Sequence, residues 1–434
     1  MGTRERLDGS GALPTAVAAA ALLAVAWVAG ACGDEETQGS PGTGGGATGG
    51  GSTTTTSGGN GPGGGGGSAG GDPCPRDPAP ANRARRVVIS HPYDDQGGQD
   101  NRFEVLSLSE AGELSATGAT FEMGRAFEGV VTFTVDGLVG VAVHDDGTLG
   151  VFGWDDQDQL QVIHSAYAGA FYADSVVLDP TGSRLFVLDN QWRENGGGVY
   201  RLRIECDGSL VEETKLVDAK LPAALLFDPN TPERAVLVAN DAFASPTDLD
   251  AHLLAWGPSP SWVDGSDAFP DDDAIVSAAA ITPDGQYALI GDNSAFSGVP
   301  NRVAVVHLGA DSLSATQVLT PLEDPYAIVA SPFGNAALVV SGFGEELHVL
   351  SYDGGSGSNP FSMAGTVSYQ GGAPGLPGKA VLVDRGDLQG RVLVAEYNGV
   401  RQVSFQPDGT VVDHGLTTFG SGVEHNVGAI GVQP

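Results

Sequence analysis

Three observations predict an all-β fold, a seven-bladed β-propeller with four antiparallel strands per blade. Residues 75–434 show almost no helical periodicity. Their apolar runs of four to seven residues, rich in Val, Leu, Ile and Phe, are separated by Asp-Gly, Pro-Asp-Gly and Asn/Gly/Ser clusters, the pattern of strands joined by tight turns. The runs also recur in a unit of about 50 residues, repeated seven times, which is the mark of a repeat architecture.

The chain ahead of that body divides in two. Arg4 and Arg6 precede an apolar stretch, 12–28, that closes on small residues, so residues 1–31 read as a secretory signal. Ala29-Gly30-Ala31-Cys32 resembles the lipobox of bacterial lipoproteins. The resemblance implies cleavage before Cys32, acylation of its thiol and a lipid anchor in a bacterial membrane. Ordinary secretion with Cys32 left over is the alternative. Gly33, where such proteins carry aspartate for inner-membrane retention, points to the outer membrane or cell surface. Residues 32–74 are then the lipidated cysteine and a disordered tether. The 41 residues 33–73 are mostly Gly, Ser and Thr, which bury no core and reach about 35 Å as a random coil.

Within the body, a first run ends in a turn at VVTFTVDG (130), SVVLDPTG (175), AALLFDPN (223), AAAITPDG (278), AIVASPFG (327), AVLVDRGD (380) and VGAIGVQP (427). A second run follows six of them, as in RLFVLDN and YALIGDN. None follows the seventh, and RRVVIS (85–90) supplies it from the other end. The C-terminal strand is therefore expected to complete the N-terminal blade, closing the ring and removing its open sheet edges. A third run follows in every unit, from FEVLSLS (103) to VRQVSF (400), and a more polar fourth run ends each. Trp154, Trp256 and Trp262 are expected to pack between blades.

The third run, Asp/Gly turn and fourth run recur as FEVLSLSEAGELSATG, VYRLRIECDGSLVEETKLV, VAVVHLGADSLSATQVL and VRQVSFQPDGTVVDHGL. This pattern resembles the lactonase-like seven-bladed propellers, the family of bacterial 6-phosphogluconolactonase and related secreted propeller-repeat proteins. The resemblance spans 85–434 through motifs for turns and packing. It implies the fold, and a lactone hydrolase as one candidate activity.

Composition narrows the partners. With 54 acidic and 20 basic residues the net charge is −34, and no basic stripe exists for a nucleic acid. No Cys-x-x-Cys pair occurs, which leaves Cys74 and Cys206 either as a disulfide in an oxidising compartment or as two thiols. No His-Glu-x-x-His motif is present either, and the body 75–434 has no Gly-x-Ser-x-Gly elbow.

Strand alternation places the Pro-Asp-Gly turns on one face and the long loops on the other. Four second strands end there in polar pairs: His144-Asp145, Asp189-Asn190, Asn240-Asp241 and Asp292-Asn293. Together with Trp192 and Arg193 they offer a rim for a protein or glycan, or for Ca²⁺. The simpler reading is that Asx side chains bind their own backbone at these turns. The segments leading into the first strands bring Glu128, Asp174, Lys220, Asp273, Glu323, Asp324, Tyr326, Lys379, Glu424 and His425 towards the channel mouth. Glu128, Asp174, Asp324 and His425 are the candidate catalytic groups. Adjacent residues on a strand face opposite ways, so Glu424 and His425 are not expected to touch. Three functions follow: an anchored binding or scaffold protein, a lactone hydrolase, or a structural component of the envelope. The acidic mouth disfavours phosphorylated substrates, and the sequence favours binding.

Overall fold

The computed structural model of the protein describes residues 74–434, apart from 192–195, 232, 241–248, 258, 271–273, 294–300, 321, 323, 343–345, 355–356, 369–378 and 421. Its 28 strands form seven four-stranded sheets. Blade 1 holds Arg85–Tyr93, Gln99–Leu108 and Leu114–Glu122, and its innermost strand is Ile430–Val432. Blades 2 to 7 follow in chain order, with inner strands Thr132–Phe133, Ala173–Leu178, Pro222–Phe227, Val276–Ile281, Pro325–Ala330 and Ala380–Leu382. Each inner strand lies against the inner strand of the next blade, and Ile430–Val432 joins blade 7 to blade 2.

The turns after the inner strands show why these sequences chain strands together. In ITPDG the Thr282 hydroxyl donates to Asp284 at 2.6 Å and accepts the Tyr287 N–H at 3.0 Å. Gly285 sits at φ +67°, a conformation that suits glycine. Strand alternation then sends each sheet's two faces into different cores. From the third position of the repeat, Phe103 and Val105 pack with Phe152 and Trp154 of blade 2. Leu106 and Leu108 pack with Leu393 and Val400 of blade 7. Seven apolar cores result, one at each blade interface.

Trp154 and Trp256 are buried in two of these interfaces, as expected. Trp262 differs: it is 42% exposed and lies against His252. It sits on the outer strand Ser261–Ser266, beyond the reach of the interface.

Residues 74–84 form a strap along the tight-turn face. Arg76 bonds Asp136 of blade 2 and the Glu205 carbonyl of blade 3, both at 2.8 Å. Asn82 accepts the Asp387 N–H of blade 7 at 2.9 Å. Cys74 is disulfide-bonded to Cys206, with Cα atoms 5.2 Å apart. Cys32 lies outside the described residues.

Candidate functional site

Most of the strand-end pairs hold the chain together. Asp145 accepts the Phe127 N–H at 2.9 Å and pairs with Arg125 at 3.1 Å. Asp292, fully buried, accepts the Ile275 N–H at 2.8 Å and the Arg302 guanidinium at 2.7 Å, and Arg302 lies over Phe269. Each carboxylate thus clamps the segment leading into the inner strand of its own blade. Asn240 and Asn293 use their backbone N–H groups similarly, on Leu221 and Ile275 carbonyls. His144 is wedged between Gly124 and Gly150, where a β-carbon would stand 2.2 Å and 2.5 Å from its ring nitrogens. Burial pushes its pKa down to about 4, so the ring is neutral at pH 7. Asp189 is buried and accepts the Gln191 N–H at 2.9 Å. Trp192, Arg193, Asp241, Asp273 and Glu323 lie outside the described residues.

Asn190 has a different role, and it leads to the channel mouth. Its Nδ2 donates to Asp174 Oδ1 at 2.6 Å. Asp174 begins to face the channel at the start of blade 3, and the charges acting on it come from three other places. Glu128 of blade 2 and Asp189 oppose its ionisation, and Lys379 of blade 7 favours it. Tyr326 of blade 6 donates its hydroxyl to Glu128. Blades 6 and 2 are not neighbours in a ring of seven, nor are 3 and 7, so these interactions cross the central channel. Lys379 Nζ donates to the Tyr326 carbonyl at 3.2 Å and lies 4.9 Å from the Tyr326 ring centre.

Burial raises the Asp174 pKa to about 6, with Glu128 adding to the shift and Lys379 opposing it. By its surface, however, the Asp174 side chain is exposed, and solvent in contact with the carboxylate works against that rise. Protein crowds round the group while its own surface stays open to the channel. Tyr326 is held well above the ordinary tyrosine value by burial, then by the Glu128 charge and hydrogen bond. It therefore keeps its proton. Asp324 is buried beside it at φ +26° and acts on Tyr326 electrostatically.

His425 is not in this cluster. It belongs to a single 3-10 turn, Val423–His425, where consecutive side chains approach one another. Its Nε2 lies 3.4 Å from Glu424 Oε1, contrary to the expectation for an extended strand. It lines a lateral cleft instead, with Arg102, Glu104 and Phe419. Of the four candidate catalytic groups, Glu128, Asp174 and Asp324 share the channel mouth through Tyr326 and Lys379. Among the described residues no three Asp, Glu, His or Cys side chains converge as a metal site requires.

No protein-family model and no curated protein matches the chain in sequence. Solved structures do match in fold. A candidate 6-phosphogluconolactonase of Bacteroides fragilis aligns with a TM-score of 0.58 at 13% identity, over 82% of this chain and 99% of that one. The periplasmic gluconolactonase of Pseudomonas aeruginosa aligns at 0.56 and 17% identity, over 81% and 99%. A hypothetical selenium-binding protein of Sulfolobus tokodaii aligns at 0.58 and 12%, over 81% and 94%. At these identities the likeness concerns the propeller alone.

Proposed function

We propose that the channel mouth hydrolyses an uncharged sugar lactone, with Asp174 as general base. The observation that supports this most is a carboxylate at the channel mouth oriented by Asn190 at 2.6 Å, its pKa raised to about 6 by burial and nearby carboxylates and opposed across the channel by a lysine. A base poised near the working pH combines the ionised form with useful proton affinity. Asp174 takes a proton from water as that water's oxygen bonds to the lactone carbonyl carbon. The Lys379 ammonium, whose charge acts on Asp174 across the channel, stabilises the resulting oxyanion. The ring C–O bond then breaks, and its oxygen leaves with the proton that Asp174 returns.

The surrounding charge selects the substrate. Glu128, Asp189 and Asp324 repel a phosphorylated lactone but not a neutral one. Hydrolysis produces a carboxylate, which the same field helps to expel. Two of the structures with this fold are described as a gluconolactonase and a candidate 6-phosphogluconolactonase, which favours turnover over the binding or scaffold role.

The assay is hydrolysis of D-glucono- and D-galactono-1,5-lactone by the full mature protein, followed by pH-stat against the spontaneous rate. The base must be ionised, so kcat/KM should rise about tenfold per pH unit below pH 6 and level off above it. A rate equal to the spontaneous one across pH 5 to 7.5 would leave a binding site without turnover.

The proposed setting is extracytoplasmic, with residues 1–31 removed and Cys32 acylated as the membrane anchor. Replacing that thiol (Cys32→Ser) should move the protein from the membrane fraction to the soluble fraction. Retention of the variant in the membrane would exclude Cys32 as the anchor.

A further inference from the structure

The interface between blades 1 and 7 changes character along its length. Towards the tight turns it is apolar, with Leu106 and Leu108 against Leu393 and Val400. Towards the long-loop face, the same side of the strand Gln99–Leu108 carries Arg102 and Glu104. The blades part there around a cavity of about 280 Å³. Its walls are Arg102, Glu104 and Ala116 from blade 1, Thr417, Thr418 and Phe419 from blade 7, and His425 from the 3-10 turn. It is separate from the channel-mouth cluster, which uses none of these residues.

Two of the charged groups are fixed from behind. Glu104 Oε2 lies 3.0 Å from Nε2 of His91, which is 1% exposed at the end of its strand. Arg102 Nη2 donates to the Glu424 carbonyl at 3.0 Å. Groups positioned before a ligand arrives lose little entropy when it binds.

We propose that this cleft is a second ligand site, holding one neutral pyranose ring, separate from the site of lactone hydrolysis. The polar groups set the ligand's charge. An anion gains from Arg102 but faces Glu104, and a cation meets the reverse. A neutral polyol uses all of them: hydroxyls donate to Glu104 and accept from Arg102, while Thr417 and Thr418 do either. Phe419 supplies an apolar surface for the C–H face of the ring, at the same wall. The volume, about 280 Å³, is just below the usual small-molecule range, which starts at about 300 Å³, so the open cleft has room for one ring and not a chain.

A free monosaccharide and the terminal residue of a glycan present this same chemistry. Isothermal titration of the full mature protein with glucose, galactose, mannose and N-acetylglucosamine, and with their methyl glycosides, tests the site. At least one free sugar should bind, and binding of its methyl glycoside as well identifies a glycan end. Glu104→Gln and Thr417→Val should each weaken that binding at least tenfold, leaving lactone hydrolysis unchanged. Asp174→Asn should leave the binding unchanged even if no lactone is ever hydrolysed, so failure of the two readings can be told apart. No binding by any sugar, or binding lost with Asp174→Asn but kept in both cleft variants, would overturn the proposal.

Discussion

Deleting residues 429–434 should abolish the single cooperative melting transition of the propeller, because three residues close the whole ring. Ile430–Val432 pairs with the first strand of blade 1, and Ile430 stands opposite Ile89. The Ile430 carbonyl also accepts the Val131 N–H of blade 2 at 2.9 Å. Ser90 Oγ accepts the Ala429 N–H and donates to the Ala126 carbonyl, both at 2.7 Å. Gln433 donates its Nε2 to the Gly137 carbonyl at 2.6 Å. Without this segment, blade 1 loses its inner strand and two sheet edges open. Ile430 is fully buried, so Ile430→Ala alone should cost about 2–5 kcal/mol. Calorimetry of both variants checks this. A truncated chain that melts in one sharp transition within a few degrees of the parent would show that the ring closes without its last strand.

Replacing the proposed base gives the second large effect. Asp174→Asn should lower kcat/KM for the lactone about 10²- to 10⁴-fold, the usual weight of general-base catalysis. Its melting temperature at pH 7 should rise. The sign follows from linkage: the folded pKa of about 6 lies above the ordinary 3.8, so the folded state binds the proton more tightly. Ionising Asp174 therefore removes stability as pH climbs from about 4 to about 6, and the loss is complete above both values. Asparagine keeps the polar shape without the charge that Glu128 and Asp189 oppose. Melts at pH 4 and pH 7 should show the parent losing more stability between them than the variant. Full activity in Asp174→Asn, or a lower melting temperature at pH 7, would remove Asp174 from the mechanism.

The architecture was legible because turns and cores are local consequences of sequence. Pro-Asp-Gly at 283–285 specifies its own turn, and the odd count of first and second runs implied the closing strand. The site was legible only as a set of positions. Glu128, Asp174, Lys379 and the two residues Asp324 and Tyr326 fall at or near the start of the first run in four different repeats, which predicts proximity to the channel. Which of them meet depends on the ring: Glu128 and Tyr326 are 198 residues apart, and no local pattern pairs them. The strand-end pairs were harder still, because Asp292 and Asn190 occupy similar places yet one turns to Arg302 and the other to Asp174. His425 departs from its expected place because the chain makes a 3-10 turn where the repeat pattern predicts extended chain. The lateral cleft also has a signal in the sequence. In RFEVLSL, the interface side changes from Leu106 and Leu108 to Arg102 and Glu104, a polar break in an apolar seam.

The covalent bond between Cys74 and Cys206 also settles where traction enters the molecule. Whatever pulls on the chain at residue 73 pulls first on Cys74, and through it on the turn carrying Cys206 in blade 3. The strap from 75 to 84 and the first strand of blade 1 lie beyond that bond and stay slack. A ring sealed by three residues would be easily peeled from its N-terminal blade, and that blade is the one spared. With Cys74 held on the tight-turn face, the channel mouth on the opposite face is left clear of the load.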